Sequence, residues 1–150
     1  MLKGLHPLLS ADILYLLARM GHGDDVAIVD LNHPAETVAA ATTSKVLIRA
    51  PGVRVEAMLA AVLTVLPLDT FTDDPIRFMQ PVDAGDTLPE AIRDMQQVAR
   101  DGGFAGAFSM LERFAFYEAA RGSFGVIQCG DPRFYGNVLV RKGAIETTVS

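Results

Sequence analysis

Gly21-His22-Gly23-Asp24-Asp25-Val26-Ala27-Ile28-Val29-Asp30 contains a bend, a short apolar run and a charge at each end of that run. Four apolar residues between Asp25 and Asp30 read as a strand covered on both faces, because a half-exposed strand would alternate with polar residues. Upstream, Ser10 can cap a helix whose apolar positions Ile13, Leu16, Leu17 and Met20 follow three-four spacing, with Asp12 at its positive end and Gly21 as the stop. Downstream, the strand runs into the polar loop Leu31-Asn32-His33-Pro34-Ala35.

The remaining chain repeats this alternation. Strands fit residues 45–49, 76–80, 107–111, 124–129 and 137–141. Helices fit residues 54–66, closed by Pro67, and the stretch from Pro89 to the Gly102-Gly103 stop, with Ile92, Met95 and Val98 or Ala99 as its stripe. A shorter helix fits residues 114–120, and residues 83–87 and 130–136 are rich in turn formers. The expectation is an α/β fold, with residues 1–150 forming one domain built on a largely parallel open sheet with helices packed on it. Ligands in such sheets collect beyond the carboxyl ends of the strands, which singles out Asp30, Asn32 and His33.

Composition narrows the function classes. Half of the residues are hydrophobic before the 13 glycines are counted, above the usual share of about 45–50% that includes glycine. Some of that surplus is expected to meet another subunit. The formal charge of −5, with scattered basic residues, argues against nucleic acid. No apolar run reaches the roughly 18–20 residues of a membrane span, and the first residues lack the pattern of a signal peptide; a cytoplasmic protein is expected. The single cysteine, Cys129, lies in an apolar run and reads as inert core. Metal-ligand spacings, the Gly-x-Ser-x-Gly elbow and the glycine-rich phosphate loops do not occur, so neither a metal nor a nucleotide cofactor is expected.

Several side chains admit two readings each. His22, between glycines and next to Asp24, suits proton traffic near neutral pH, or is a solvent-facing residue at a helix end. Asp30 and Asn32 can hold hydroxyls or form a turn; His33 belongs to that cluster or to a solvated loop, whereas His6 reads as structural or exposed. Arg113, where a strand gives way to a helix, can direct five donors into the crevice or form a surface ion pair. Tyr117 falls on the same aromatic helix face as Phe114, whose default is packing. Tyr135, Gly136 and Asn137 offer a phenol and an amide to a polyol, or make a plain turn.

Taken in order, the opening Leu2-Lys3-Gly4 and Pro7-Leu8-Leu9-Ser10, then Ala18-Arg19-Met20-Gly21-His22-Gly23-Asp24, Asp30-Leu31-Asn32-His33-Pro34-Ala35, Arg113-Phe114-Ala115-Phe116-Tyr117-Glu118 and Tyr135-Gly136-Asn137 resemble the fucose mutarotase branch of the ribose and fucose mutarotase family. The likeness covers almost the whole chain. It implies a cofactor-free isomerase that interconverts the anomers of a free monosaccharide, L-fucose first. A proton leaves the anomeric hydroxyl, another reaches the ring oxygen, and the opened aldehyde recloses on either face. His22 matches the proton carrier, and Asp30, Arg113 and the segment Tyr135-Gly136-Asn137 match positions that hold the sugar. Family members form multimers, often rings, with sites near subunit contacts. His33 stands where the branch commonly has Phe, which bears on the preferred sugar. Two alternatives remain at this point: a ribose-type pyranase, and a sugar-binding regulatory module without turnover.

Overall fold

The computed structural model describes residues 1–83 and 85–148. The apolar run after the His22 bend forms β1 (Asp25–Val29), and its side chains alternate between two cores. Val26 and Ile28 pack with α1 (Ala11–Arg19), α3 (Val55–Leu63) and α4 (Glu90–Asp101) on one face. Ala27 and Val29 pack with α2 (Ala35–Ala41) and α5 (Arg113–Arg121) on the other. That double burial is why β1 carries no polar residue between its ends.

Around β1 the sheet adds β2 (Leu47–Ala50), β3 (Ile76–Met79), β4 (Ser109–Leu111), β5 (Gly125–Cys129) and β6 (Val138–Arg141), in the order β2-β5-β1-β6-β3-β4. β2, β5 and β1 are mutually parallel, as are β3 and β4, while β6 is antiparallel to both β1 and β3. The expected open, largely parallel sheet is present. The reversal of β6 matters for the site, because its first residues lie at the edge where β1, β3 and β5 end.

Local chemistry explains most element boundaries. Ser10 Oγ accepts the N–H of Ile13 at 3.3 Å and caps α1, whose buried stripe is Ile13, Leu16 and Leu17. Truncating Leu16 to Ala would cost about 2–5 kcal/mol. α3 ends at Leu63, short of the expected residue 66, because the Thr64 hydroxyl donates to the Ala61 carbonyl and closes the last turn. Pro89 takes the cap position before α4 rather than its first turn. The helix α2 is not announced by the sequence: it buries only Ala35, Val38 and Ala39, and a face of alanines leaves little apolar stripe to detect. Residue 84, within the expected turn at 83–87, lies outside the described residues.

Candidate functional site

At the carboxyl end of the sheet lies a cavity of about 210 Å³, lined by Asp30, Asn32, His33, Met79, Arg113, Tyr117, Phe134, Tyr135 and Asn137. Four elements meet there: the loop after β1, the end of β3, the start of α5, and the segment leading into β6. The volume falls below the roughly 300–1,000 Å³ of drug-sized pockets, which suits one small polar ring. Carboxylate, amide and guanidinium groups supply hydrogen bonds, and Met79, Tyr117 and Phe134 supply apolar contact.

Asp30 is the organiser of this hollow. It is 3% exposed; Oδ1 accepts the Asn32 N–H at 3.0 Å, and Oδ2 accepts the Gly136 N–H at 3.0 Å and the Asn137 amide at 3.3 Å. The Asn137 amide oxygen in turn accepts the Asp30 N–H at 3.3 Å. Burial pushes the Asp30 carboxyl up from its ordinary value, against the N–H donors of Asn32, Gly136 and His33 that favour the ionised form. Gly136 fits because a Cβ there would stand 3.1 Å from Asp30 Cβ and 3.2 Å from a Val55 methyl. Tyr135, just before it, holds a left-handed φ of 62°, and its phenol oxygen accepts the Val82 N–H at 3.0 Å.

Arg113 opens α5, where the Glu112 carboxylate caps the Phe114 and Ala115 N–H groups. Its guanidinium lies 5.4 Å from the Phe114 ring and 6.0 Å from the Tyr117 ring, and it forms no ion pair among the described residues. Tyr117 also packs against His33, with ring centroids 5.3 Å apart. Asn32 is exposed at the rim, whereas His33 is buried, and burial lowers its imidazole pKa to about 4. His33 is therefore no solvated loop residue.

His22 lies elsewhere. It precedes β1 while Asp30 follows it, and at about 3.3 Å per residue a five-residue strand spans on the order of 16 Å. Within one chain His22 does not share the cavity. Its Nε2 pairs with Asp69 Oδ1 at 2.9 Å, and its ring lies 5.1 Å from Phe71, which is 83% exposed. The bend is stitched in place by Gly23, at φ 89°, whose N–H donates to the Lys142 carbonyl. The Asp24 carboxylate accepts the Gly21 N–H at 2.7 Å, so Asp24 shapes the bend and does not line the cavity. The Lys142 ammonium donates to the Leu17 and Met20 carbonyls and fixes the end of α1 to the same corner.

Asp69 escaped the sequence reading. It stands 47 residues from His22 and reaches it because its N–H pairs with the Arg141 carbonyl at the end of β6. Its carboxyl is held below the ordinary value by the Phe71 N–H and then by His22. With Nε2 donating to that carboxylate, Nδ1 carries the lone pair and is the atom able to accept a proton. Arg133 escaped as well. Its guanidinium bonds Asp131 (3.0 and 2.8 Å), Asp94 (2.7 Å) and Glu56 (2.5 Å), clamping the segment before Tyr135 onto α3 and α4. Asp131 also accepts the Val55 N–H, and its carbonyl accepts the Leu31 N–H, joining this clamp to the Asp30 loop.

Among the described residues no three His, Cys, Asp or Glu side chains converge as a metal set, and no helix is long and apolar enough to cross a membrane. Burial pushes the Cys129 thiol up to about 12, which leaves it protonated at neutral pH. Residues 3–145 match the model of the RbsD / FucU transport protein family. The human fucose mutarotase is 40% identical over 147 residues, covering 96% of this chain and 94% of its own. The L-fucose mutarotase of Histophilus somni strain 2336 is 34% identical, with 95% and 96% covered. The crystal structure of the Streptococcus pneumoniae fucose mutarotase in complex with L-fucose superposes with a TM-score of 0.86 at 30% identity, covering 97% of this chain and all of that one.

Proposed function

From its membership of the RbsD / FucU transport protein family, to which the chain belongs, we propose that it is a cytoplasmic sugar mutarotase that interconverts the anomers of L-fucose. The observation that carries this reading is the small hollow at the carboxyl end of the sheet, where Asp30, Arg113, Tyr135 and Asn137 surround space for one pyranose ring. Asn32 and Arg113 orient hydroxyls from the rim, Met79, Tyr117 and Phe134 meet the C–H faces of the ring, and the Asp30–Gly136–Asn137 knot keeps the walls in register.

The proton carrier in this reading is the His22–Asp69 pair of a neighbouring protomer. Nδ1 takes the anomeric hydroxyl's proton as the C1–O5 bond breaks and hands it to the ring oxygen, and the reverse transfer accompanies closure on either face, while Asp69 fixes the tautomer through Nε2. Exposed phenylalanines support such a contact: Phe71 stands beside His22, Phe134 lines the cavity, and Phe114 lies 5.4 Å from the Arg113 guanidinium. A patch at one end of the protomer meeting a different patch at the other is a head-to-tail interface, and repetition closes a ring.

NMR saturation transfer between the anomers of L-fucose tests the activity, with D-ribose as the rival substrate. A mixing experiment tests the shared site: His22→Ala and Arg113→Ala proteins, each inactive alone, regain part of the exchange rate when dissociated and reassembled together. Two inactive proteins that stay inactive as a mixed assembly would place His22 and Arg113 in the same protomer's site and overturn the arrangement.

A further inference from the structure

We infer that His33 extends this site from a 6-deoxy sugar to the parent hexose that carries the 6-hydroxyl, an inference that rests on the sugar-binding reading above. His33 lines the cavity, yet the residue is 6% exposed, both ring nitrogens are sealed from solvent, and neither has a hydrogen-bond partner among the described residues. A buried donor or acceptor without a partner is costly and calls for one from outside the chain. The neighbouring amides are already engaged. The Asn137 side chain approaches the His33 ring without bonding either nitrogen, since both ends of its amide are spent on Asp30, and the Gln128 amide lies 3.3 Å from the carbonyls of Asp30, Leu31 and His33. Those contacts hold the His33 backbone while leaving its ring unserved.

The ring sits on the aromatic side of the hollow, edge-on to Phe116 at 6.2 Å and tilted against Tyr117 at 5.3 Å. Burial there keeps it neutral at physiological pH, so it brings one N–H donor and one lone pair. A half-turn about Cβ–Cγ exchanges the sealed nitrogens with carbons at nearly constant shape, which offers a ligand the opposite edge of the ring. A pyranose bears its carbon branch at C5: a methyl in a 6-deoxy sugar, a hydroxymethyl in the parent hexose. The apolar wall accommodates the branch in both, but only the hydroxymethyl gives the imidazole a partner.

L-fucose and L-galactose differ by that one hydroxyl. Binding by titration calorimetry and anomer exchange by NMR are measured for both sugars on the wild type, His33→Phe and His33→Gln. The wild type binds L-galactose at least as tightly as L-fucose, and His33→Phe lowers the L-galactose to L-fucose ratio about tenfold, the effect of one lost hydrogen bond. His33→Gln, with a donor and an acceptor, keeps most of the ratio and decides the matter should His33→Phe fail to fold. A ratio unmoved in His33→Phe, or a tenfold preference of the wild type for L-fucose, overturns the proposal. Exchange of both sugars with a ratio indifferent to residue 33 leaves the mutarotase reading standing and removes this one. Selective binding without exchange does the reverse.

Discussion

Asp30 and Asp69 sit at opposite ends of the same sheet, and the protein uses them in opposite ways. Asp30 is sealed in, its carboxyl pushed up by burial, and its oxygens are taken by N–H groups of the loops that shape the hollow. Asp69 has its carboxyl pulled down by the Phe71 N–H and His22, and it spends one oxygen on orienting an imidazole that is 43% exposed. One end of the protomer is a preformed container, and the other is a presented reagent. Neither holds both the hollow and the imidazole, which is why the proposed mechanism assembles the chemistry between copies.

The largest expected effect breaks the reagent end alone. His22→Ala lowers anomer exchange by about 10²–10⁴, the usual worth of a positioned proton transfer, while calorimetry finds the sugar still bound. Loss of binding in place of exchange would put His22 among the holding groups. Acid acts on the container. The folded chain protonates His33 only near pH 4, whereas the unfolded chain does so below about 6.5. Unfolded protein thus binds more protons in that window, and stability falls as pH drops from about 6.5 to 4, by at most about 3 kcal/mol. Denaturant titrations of wild type and His33→Phe at pH 7 and 5 check it, since the variant loses this dependence.

Asp69→Asn refines the contrast. An amide at this position can hold the imidazole in the wrong tautomer, so exchange falls by about tenfold to a hundredfold with sugar affinity unchanged. Gly136→Ala acts only on the container. Its Cβ crowds Asp30 and Val55, and the expected loss is about 1–3 kcal/mol of stability together with weaker sugar binding. In reassembled mixtures it complements His22→Ala, because each damages a different end.

The container was largely legible because it follows from order along the chain. A charged residue closing an apolar run marks a strand end, and an arginine opening a helix marks the same edge, so the sequence alone points Asp30 and Arg113 to the edge where the cavity lies. His33 was half legible: its membership of the cluster was visible, its burial was not. The reagent end was legible only in His22, because its partner comes from a loop 47 residues away, brought in by main-chain pairing with β6. No spacing rule carries that. The Arg133 clamp was hidden for the same reason, its carboxylates coming from α3, α4 and its own loop. α2 was missed because alanines pack without announcing a stripe.

The direction of β6 has a wider consequence. Asn137, just before the strand, grips Asp30, and Lys142, just after it, grips the corner that carries His22. Four residues of extended backbone are thus a gauge block between container and reagent. In the proposed ring each such block would fix two successive sites at once, so a slip of one residue in β6, which inverts its buried side chains, would spoil the chemistry on both sides of the protomer.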